Sequence, residues 1–220
     1  MLRAVLSAYT SKRRGFEFRG RSRWPVTTAS LMAAGFLIAL VLAAVMLVIF
    51  GAGDRGTEIA LRATARWSFL LFWLAYAGGA MAKLFGPPFD ALAKQGRAMG
   101  LAYASAQLIH VALIFWLFHL AAGPGGAMLV FWAGIVCTYV LALFSWPRLR
   151  DALGPPLWQI VRITAMEYIA YVFALDFILI PLSEHGAGGY PLSYVPFAVM
   201  LVGAAGLRVA AVVHSKLVAQ

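Results

Sequence analysis

Met99-Gly-Leu-Ala-Tyr-Ala-Ser-Ala-Gln-Leu-Ile-His-Val-Ala-Leu-Ile-Phe-Trp-Leu-Phe118 carries no Asp, Glu, Lys or Arg. A hydrocarbon core of roughly 30 Å needs about 20 apolar residues in a helix, so this run is long enough to span a bilayer. His110 then lies near the midplane, where an ionisable side chain is costly and marks a candidate functional site. The rest of the chain is of the same kind: 63% hydrophobic, 12% charged, with mean hydropathy +0.84. Soluble domains carry about 25% charged residues. The composition reads as an all-α integral membrane protein, and no short alternating segments of the β-barrel type occur.

Six apolar segments stand out, near Ala29–Phe50, Trp67–Phe85, Ala98–Ala121, Ala127–Trp146, Leu157–Leu182 and Leu192–Lys216. Gly86-Pro-Pro88, Gly123-Pro-Gly-Gly126, Gly154-Pro-Pro156 and Gly186–Pro191 separate them with helix-stopping residues. The expected organisation is a basic arm over residues 1–27 followed by a six-helix transmembrane domain over 28–220. The first segment is too long for the h-region of a cleaved signal peptide.

The net charge of +10 is distributed as the positive-inside rule expects. The arm has Arg3, Lys12, Arg13, Arg14, Arg19, Arg21 and Arg23 against Glu17. Lys94, Arg97, Arg148, Arg150 and Lys216 fall on the same side; Arg55, Arg62 and Arg66 are the exception. Both termini are therefore expected in the cytoplasm, with the chain in a bacterial inner membrane and lipid as its first partner. The arm contains no nucleic-acid-binding module, so its charge points to lipid and not to nucleic acid. The single cysteine, Cys137, excludes an intramolecular disulfide and reads as a small core residue.

Polar residues inside the spans are few. Tyr103, Gln107 and His110 share one helix face. Thr164, Glu167, Tyr168 and Tyr171 form a stripe on the fifth segment, with Arg162 and Asp176 on another face, roughly opposite Glu167. At 1.5 Å per residue, Glu167 and Arg208 sit at similar depths, each about 13–15 Å from the cytoplasmic end. This predicts a Glu167–Arg208 contact in the bundle interior, serving either as a register-fixing pair or as a proton relay or ligand clamp. Lys83 is expected to snorkel to the interface. Trp24, Trp67, Trp146 and Trp158 are expected in the aromatic belts, and Gly78, Gly79, Gly203, Ala204, Ala205 and Gly206 at close helix contacts. No nucleotide-binding loop, HExxH, GxSxG or EF-hand is present, and the four histidines lack metal-ligand spacing, so no catalytic or metal residues are assigned.

Four stretches occur in a telling order: Leu61-Arg-Ala-Thr-Ala-Arg-Trp-Ser-Phe-Leu-Leu71, Gln95-Gly-Arg-Ala-Met-Gly-Leu-Ala-Tyr103 ahead of His110, Tyr139-Val-Leu-Ala-Leu-Phe-Ser145, and Leu153-Gly-Pro-Pro-Leu-Trp158. Over roughly Leu61–Phe177 the chain resembles the ferric reductase-like transmembrane domain family, which includes the haem-binding membrane subunit of the methionine sulfoxide reductase system. The resemblance implies that His110 stands at a haem-ligand position. The family's partner histidines fall on Arg162 and on Leu175 or Asp176. Arginine cannot ligate iron, and these haems take two strong axial nitrogens. The expectation is thus a divergent, haem-less member serving as a membrane partner or scaffold. One alternative is a haem b electron-transfer subunit using His110 and passing electrons to another membrane or periplasmic redox protein, the membrane component of an oxidoreductase. The other is a small transporter or proton-conducting bundle using Glu167, Arg208, Asp176 and His110.

Overall fold

The computed structural model describes residues 27–120, 128–185 and 191–218. They form an all-α, multi-span bundle. The helices are α1 (Thr28–Phe50), α2 (Asp54–Phe85), α3 (Asp90–Leu120), α4 (Met128–Leu143), α5 (Pro147–Leu153), α6 (Pro155–Ala174), α7 (Ile180–His185) and α8 (Val195–Val218). A 3₁₀ turn, Pro87–Phe89, leads into α3, and a π turn, Leu175–Leu179, joins α6 to α7. Five helical units are long and apolar enough to cross a membrane: α1, α2, Pro87–Leu120, Pro155–Ser183 and α8. Leu129–Leu143 and Pro147–Leu153 make a sixth candidate only if taken together, and they are bent by 105°.

Local chemistry sets the ends. The Thr27 side chain caps α1 by accepting from the Ser30 amide at 3.1 Å. Gly86 (φ +76°) and Gly154 (φ +73°) stop helices in a backbone conformation closed to most L-residues. Pro147 opens α5, since proline is tolerated in a first helical turn. The π turn has a cause in Pro181. Its ring would meet the carbonyl of Phe177 in a regular helix, and the widened turn, with the Ile180 amide bonded to the Leu175 carbonyl, accommodates it.

Two expected boundaries move. The second apolar segment is the inner part of a helix beginning at Asp54, so Arg55 and Arg62 stand on helix and not in a loop. Apolarity cannot mark that start, because a helix leaving the bilayer has no reason to stay apolar. The fourth segment ends at Leu143, and Trp146 lies in the break before α5. The arm expected over 1–27, with Trp24, falls outside the described residues except for Thr27.

Helices α1, α2 and α3 pack together, α8 lies along α2, and α4 packs on α6. With little hydrophobic drive between helices in lipid, close packing and hydrogen bonds must hold them. Ser105 Oγ donates to the Met32 carbonyl at 2.8 Å, and Trp73 Nε1 to the Met200 carbonyl at 2.8 Å. Trp67 Nε1 donates to the Gly35 carbonyl at 3.0 Å, so Trp67 ties α2 to α1. Phe69 and Phe72 of α2 meet Phe173 of α6, with centroids at 5.2 and 5.3 Å. Phe177 and Phe197 also meet Phe69, at 5.1 and 5.8 Å. These pairs join α6 and α8 to the α1–α3 group. Cys137 is half-buried against the same core.

Of the small residues expected at contacts, Gly78 is at one: a Cβ there would lie 2.9 Å from Leu92 Cγ. Ala204 is buried as well. Gly79, Gly203 and Gly206 would meet nothing within 4 Å, and Ala205 is exposed. The tightest approach between helices is at Gly35, where a Cβ would stand 2.7 Å from the Ala102 carbonyl oxygen. Gly35→Ala is therefore expected to lower stability in detergent by about 1–3 kcal/mol through overpacking. Gly203→Ala should be neutral or slightly stabilising, by up to about 1 kcal/mol. Thermal unfolding of the two variants beside the parent chain checks this; equal midpoints would show that α1 does not sit on α3 at this distance.

Candidate functional site

At the end of the bundle that holds the carboxyl end of α2 and the amino end of α3, a cleft of about 920 Å³ opens. Residues of α2 through α6 and α8 line it. Its apolar wall includes Phe72, Tyr76, Tyr103, Met166 and Ile169. Ala75 and Gly79 of α2 face Gly96 and Gly100 of α3 along another side, and their small size leaves the space open. Lys83, Arg97, Arg150, Arg162 and Arg208 also line it, against one carboxylate, Glu167. A second cavity of about 540 Å³ adjoins it and shares Arg150, Trp158, Gln159 and Arg162.

Glu167 is held on three sides. Arg208 reaches its Oε1 with Nη2 at 2.6 Å and Nε at 3.0 Å. Tyr76 donates its hydroxyl to Oε2 at 2.6 Å. The Arg208 guanidinium lies over the Tyr76 ring at 4.3 Å, and Nη1 donates to the Tyr76 carbonyl at 3.3 Å. The contact expected from depth arithmetic is present, and it links α2, α6 and α8. It does not lie in the bundle interior: the Glu167 and Arg208 side chains are 48% and 29% exposed, on the cleft wall. Tyr76 was not singled out from sequence, although it sits at similar depth, nine residues from the end of α2.

The remaining cations differ in their partners. Arg150 pairs with Asp151 at 3.0 Å. Lys83, Arg97 and Arg162 make no ion pair among the described residues. The helical wheel sets Arg162 apart from Glu167, yet both reach one cleft because it wraps around α6. Lys83 lines the cleft too. Sequence reading missed this convergence, having treated Arg97 and Arg150 as loop charges.

The other polar residues serve helix packing. His110 Nδ1 lies 3.0 Å from Thr64 Oγ1, whose hydroxyl is also 2.9 Å from the Ala60 carbonyl. The Tyr103 hydroxyl meets Thr138 Oγ1 at 3.0 Å, and Thr138 donates to the Gly134 carbonyl at 2.9 Å, which leaves Tyr103 as donor to Thr138. Tyr168 donates to the Val130 carbonyl at 3.1 Å and pins α4 to α6. Thr164 and Tyr171 are exposed, so the expected stripe divides between packing and the bundle's outer surface. Gln107 Oε1 and Ser68 Oγ are buried with no hydrogen-bond partner among the described residues.

Asp176 stands on the π turn, within electrostatic reach of Arg66 and Arg62. Arg66 donates to Ser193 Oγ at 3.3 Å and lies 5.3 Å from the Tyr194 ring centroid. Asp176 and Arg162 thus occupy different ends of one helical unit, about 21 Å apart along its axis.

No group of three or more His, Cys, Asp or Glu suited to a metal ion occurs among the described residues. Arg162 is a cleft cation, and Asp176 is a carboxylate on the π turn. His110, for its part, is engaged by Thr64.

Removing Arg208 would leave Glu167 charged in a low-dielectric wall with Tyr76 alone. Fully buried pairs lose about 3–5 kcal/mol on such a change. The half-exposed geometry reduces this to about 1–2 kcal/mol for Arg208→Leu. Glu167→Gln should cost less, and the double variant should fall short of the sum. A thermal double-mutant cycle measures the coupling; full additivity would mean that the two side chains do not interact. No protein-family model matches this chain, and no curated protein or solved structure matches it.

Proposed function

We propose that this multi-pass membrane protein works as an anion-binding membrane partner, taking an anionic ligand into the basic cleft from the cytoplasmic side. The observation that carries this reading is the charge imbalance of the cleft: five cations line it, the single carboxylate is already engaged by Arg208, and Lys83, Arg97 and Arg162 have no ion-pair partner among the described residues. Like charges gathered on one cavity repel one another. A bound anion turns that repulsion into attraction. The side assignment follows from the positive-inside distribution of Lys and Arg, and with it go six spans and both termini in the cytoplasm.

The fold reading proposed beside it is a divergent, haem-less member of the ferric reductase-like group. Its support is the placement of Arg162, which lines the cleft where the family has a ligand histidine. The haem b electron-transfer alternative rests on His110 as one axial ligand. A reduced-minus-oxidised spectrum of protein made in haem-replete cells decides between them: a stoichiometric b-type band lost in His110→Ala would overturn the haem-less reading.

The anion-binding reading is tested by calorimetric titration of the purified protein with inorganic pyrophosphate. Binding is expected to weaken at least about tenfold in the double variant Arg97→Gln/Arg162→Gln. It should also weaken with salt, as screening shortens the reach of the unpaired cations. No binding, or binding indifferent to both changes, would overturn the reading.

A further inference from the structure

We infer that the anion taken by the cleft is the phosphate head group of a membrane lipid, whose acyl chains pass out between α6 and α8. This rests on the anion-binding reading and adds the class of ligand and its route of entry.

The first ground is the way the cleft is divided. Lys83, Arg97 and Arg162 supply unpaired positive charge, while Met166, Ile163, Val209 and Val212 supply accessible apolar wall in the same cavity. A small hydrophilic anion uses the first set and leaves the second idle. A lipid uses both, and about 920 Å³ is ample for a head group and the first methylenes of its chains.

The second ground is the side of the cleft formed by α6 and α8. Val209, Val212 and Val213 of α8 and Ile163 of α6 line the cavity and are also between 42% and 65% exposed. They are at once cavity wall and outer surface, so the cavity reaches the bundle's lipid-facing side there. The described polar contact from α6 to α8 is the Glu167–Arg208 pair, and it marks the upper limit of this opening. Above it, Phe69, Phe173, Phe177 and Phe197 close the space between the helices.

The third ground is charge sign. The residue 1–26 arm is itself basic, which makes it a poor occupant for a basic cleft. An anionic lipid has the complementary charge and is present at high local concentration at the membrane surface. Guanidinium groups bind phosphate oxygens through charge-assisted hydrogen bonds, and two arginines without an ion-pair partner among the described residues, Arg97 of α3 and Arg162 of α6, line the cavity.

The test is native mass spectrometry of the full chain in detergent, with dioleoyl phosphatidic acid, dioleoyl phosphatidylcholine and inorganic pyrophosphate as separate probes. The expected result is one phosphatidic acid retained at least about tenfold more strongly than phosphatidylcholine. That preference should fall to near unity in Arg97→Gln/Arg162→Gln and several-fold in Val209→Trp, which fills the opening from an exposed position. Lys216→Gln, a cation outside the cleft lining, should leave it unchanged. Pyrophosphate binding that depends on Arg97 and Arg162, without any lipid preference, would overturn the lipid inference and leave the anion-binding reading standing. Failure of all three probes would overturn both. A lipid preference equal in every variant would assign the lipid to the general outer surface and overturn the inference. Should Val209→Trp not fold, Ile163→Trp tests the same opening from the facing helix.

Discussion

A carboxylate in a membrane-spanning helix has to be answered by other groups, and the answer given to Glu167 fixes how three helices meet. Arg208 supplies two donors from α8, and Tyr76 supplies its hydroxyl from α2. The Tyr76 ring then seats the same guanidinium from below at 4.3 Å. Each group satisfies another, so removing one leaves its partners short of a hydrogen bond on the half-exposed cleft wall. Both Arg208 contacts fall on one carboxylate oxygen, which leaves the second oxygen for Tyr76. That division sets the mutual rotation of α6, α8 and α2 more tightly than apolar packing could.

The aromatic cluster performs the complementary task. Phe69 meets Phe173, Phe177 and Phe197 in edge-on geometry, at 71°, 82° and 73° between planes. Such pairs contribute about 0.5–1.5 kcal/mol each beyond simple burial. Their strength does not depend on excluding water, so they hold in lipid as well as in a soluble core. Together, the polar lock and the aromatic cluster join α6 to the rest of the bundle at two levels. Between the lock and the amino end of α6, the aromatic contact among the described residues is the looser Phe144–Trp158 pair, with centroids 6.3 Å apart. Small residues line that region, and the chain turns there through the bend between α4 and α5. The cleft is the consequence.

Much of this was legible in the residues. Apolar length marked the spans, Gly86 and Gly154 marked ends, and residue rise brought Glu167 level with Arg208. The polar start of α2 was hidden, since Asp54–Arg66 follows helix geometry without the apolar pattern that reveals a span. The helix contact of Trp67 was hidden too, since a tryptophan at a span end does not reveal that its indole reaches the Gly35 carbonyl at 3.0 Å. The cleft was the least legible feature. Lys83, Arg97, Arg150 and Arg162 come from four helices, and a linear sequence assigns each to its own loop or interface. Their convergence depends on helix rotation, which the sequence constrains only through contacts it does not display.

That convergence changes how the intramembrane polar residues should be weighed. The histidine that first drew attention is bonded to Thr64 within the tightly packed α2–α3 pair, where its neighbours are small or apolar and nearly closed to solvent: Ala60 at 0%, Ala106 at 0% and Leu113 at 6%. His110 is itself part-buried, and the Thr64 contact gives it a role in packing α2 on α3. Lys83, Arg97 and Arg162, by contrast, are exposed side chains on one cavity, with the lock between Glu167 and Arg208 behind them. Cations gathered on one cleft without counter-charges repel one another. That repulsion is offset most directly by an anion bound where the cations meet, so the physical argument for a working site passes from the lone histidine to the arginines at the cleft mouth.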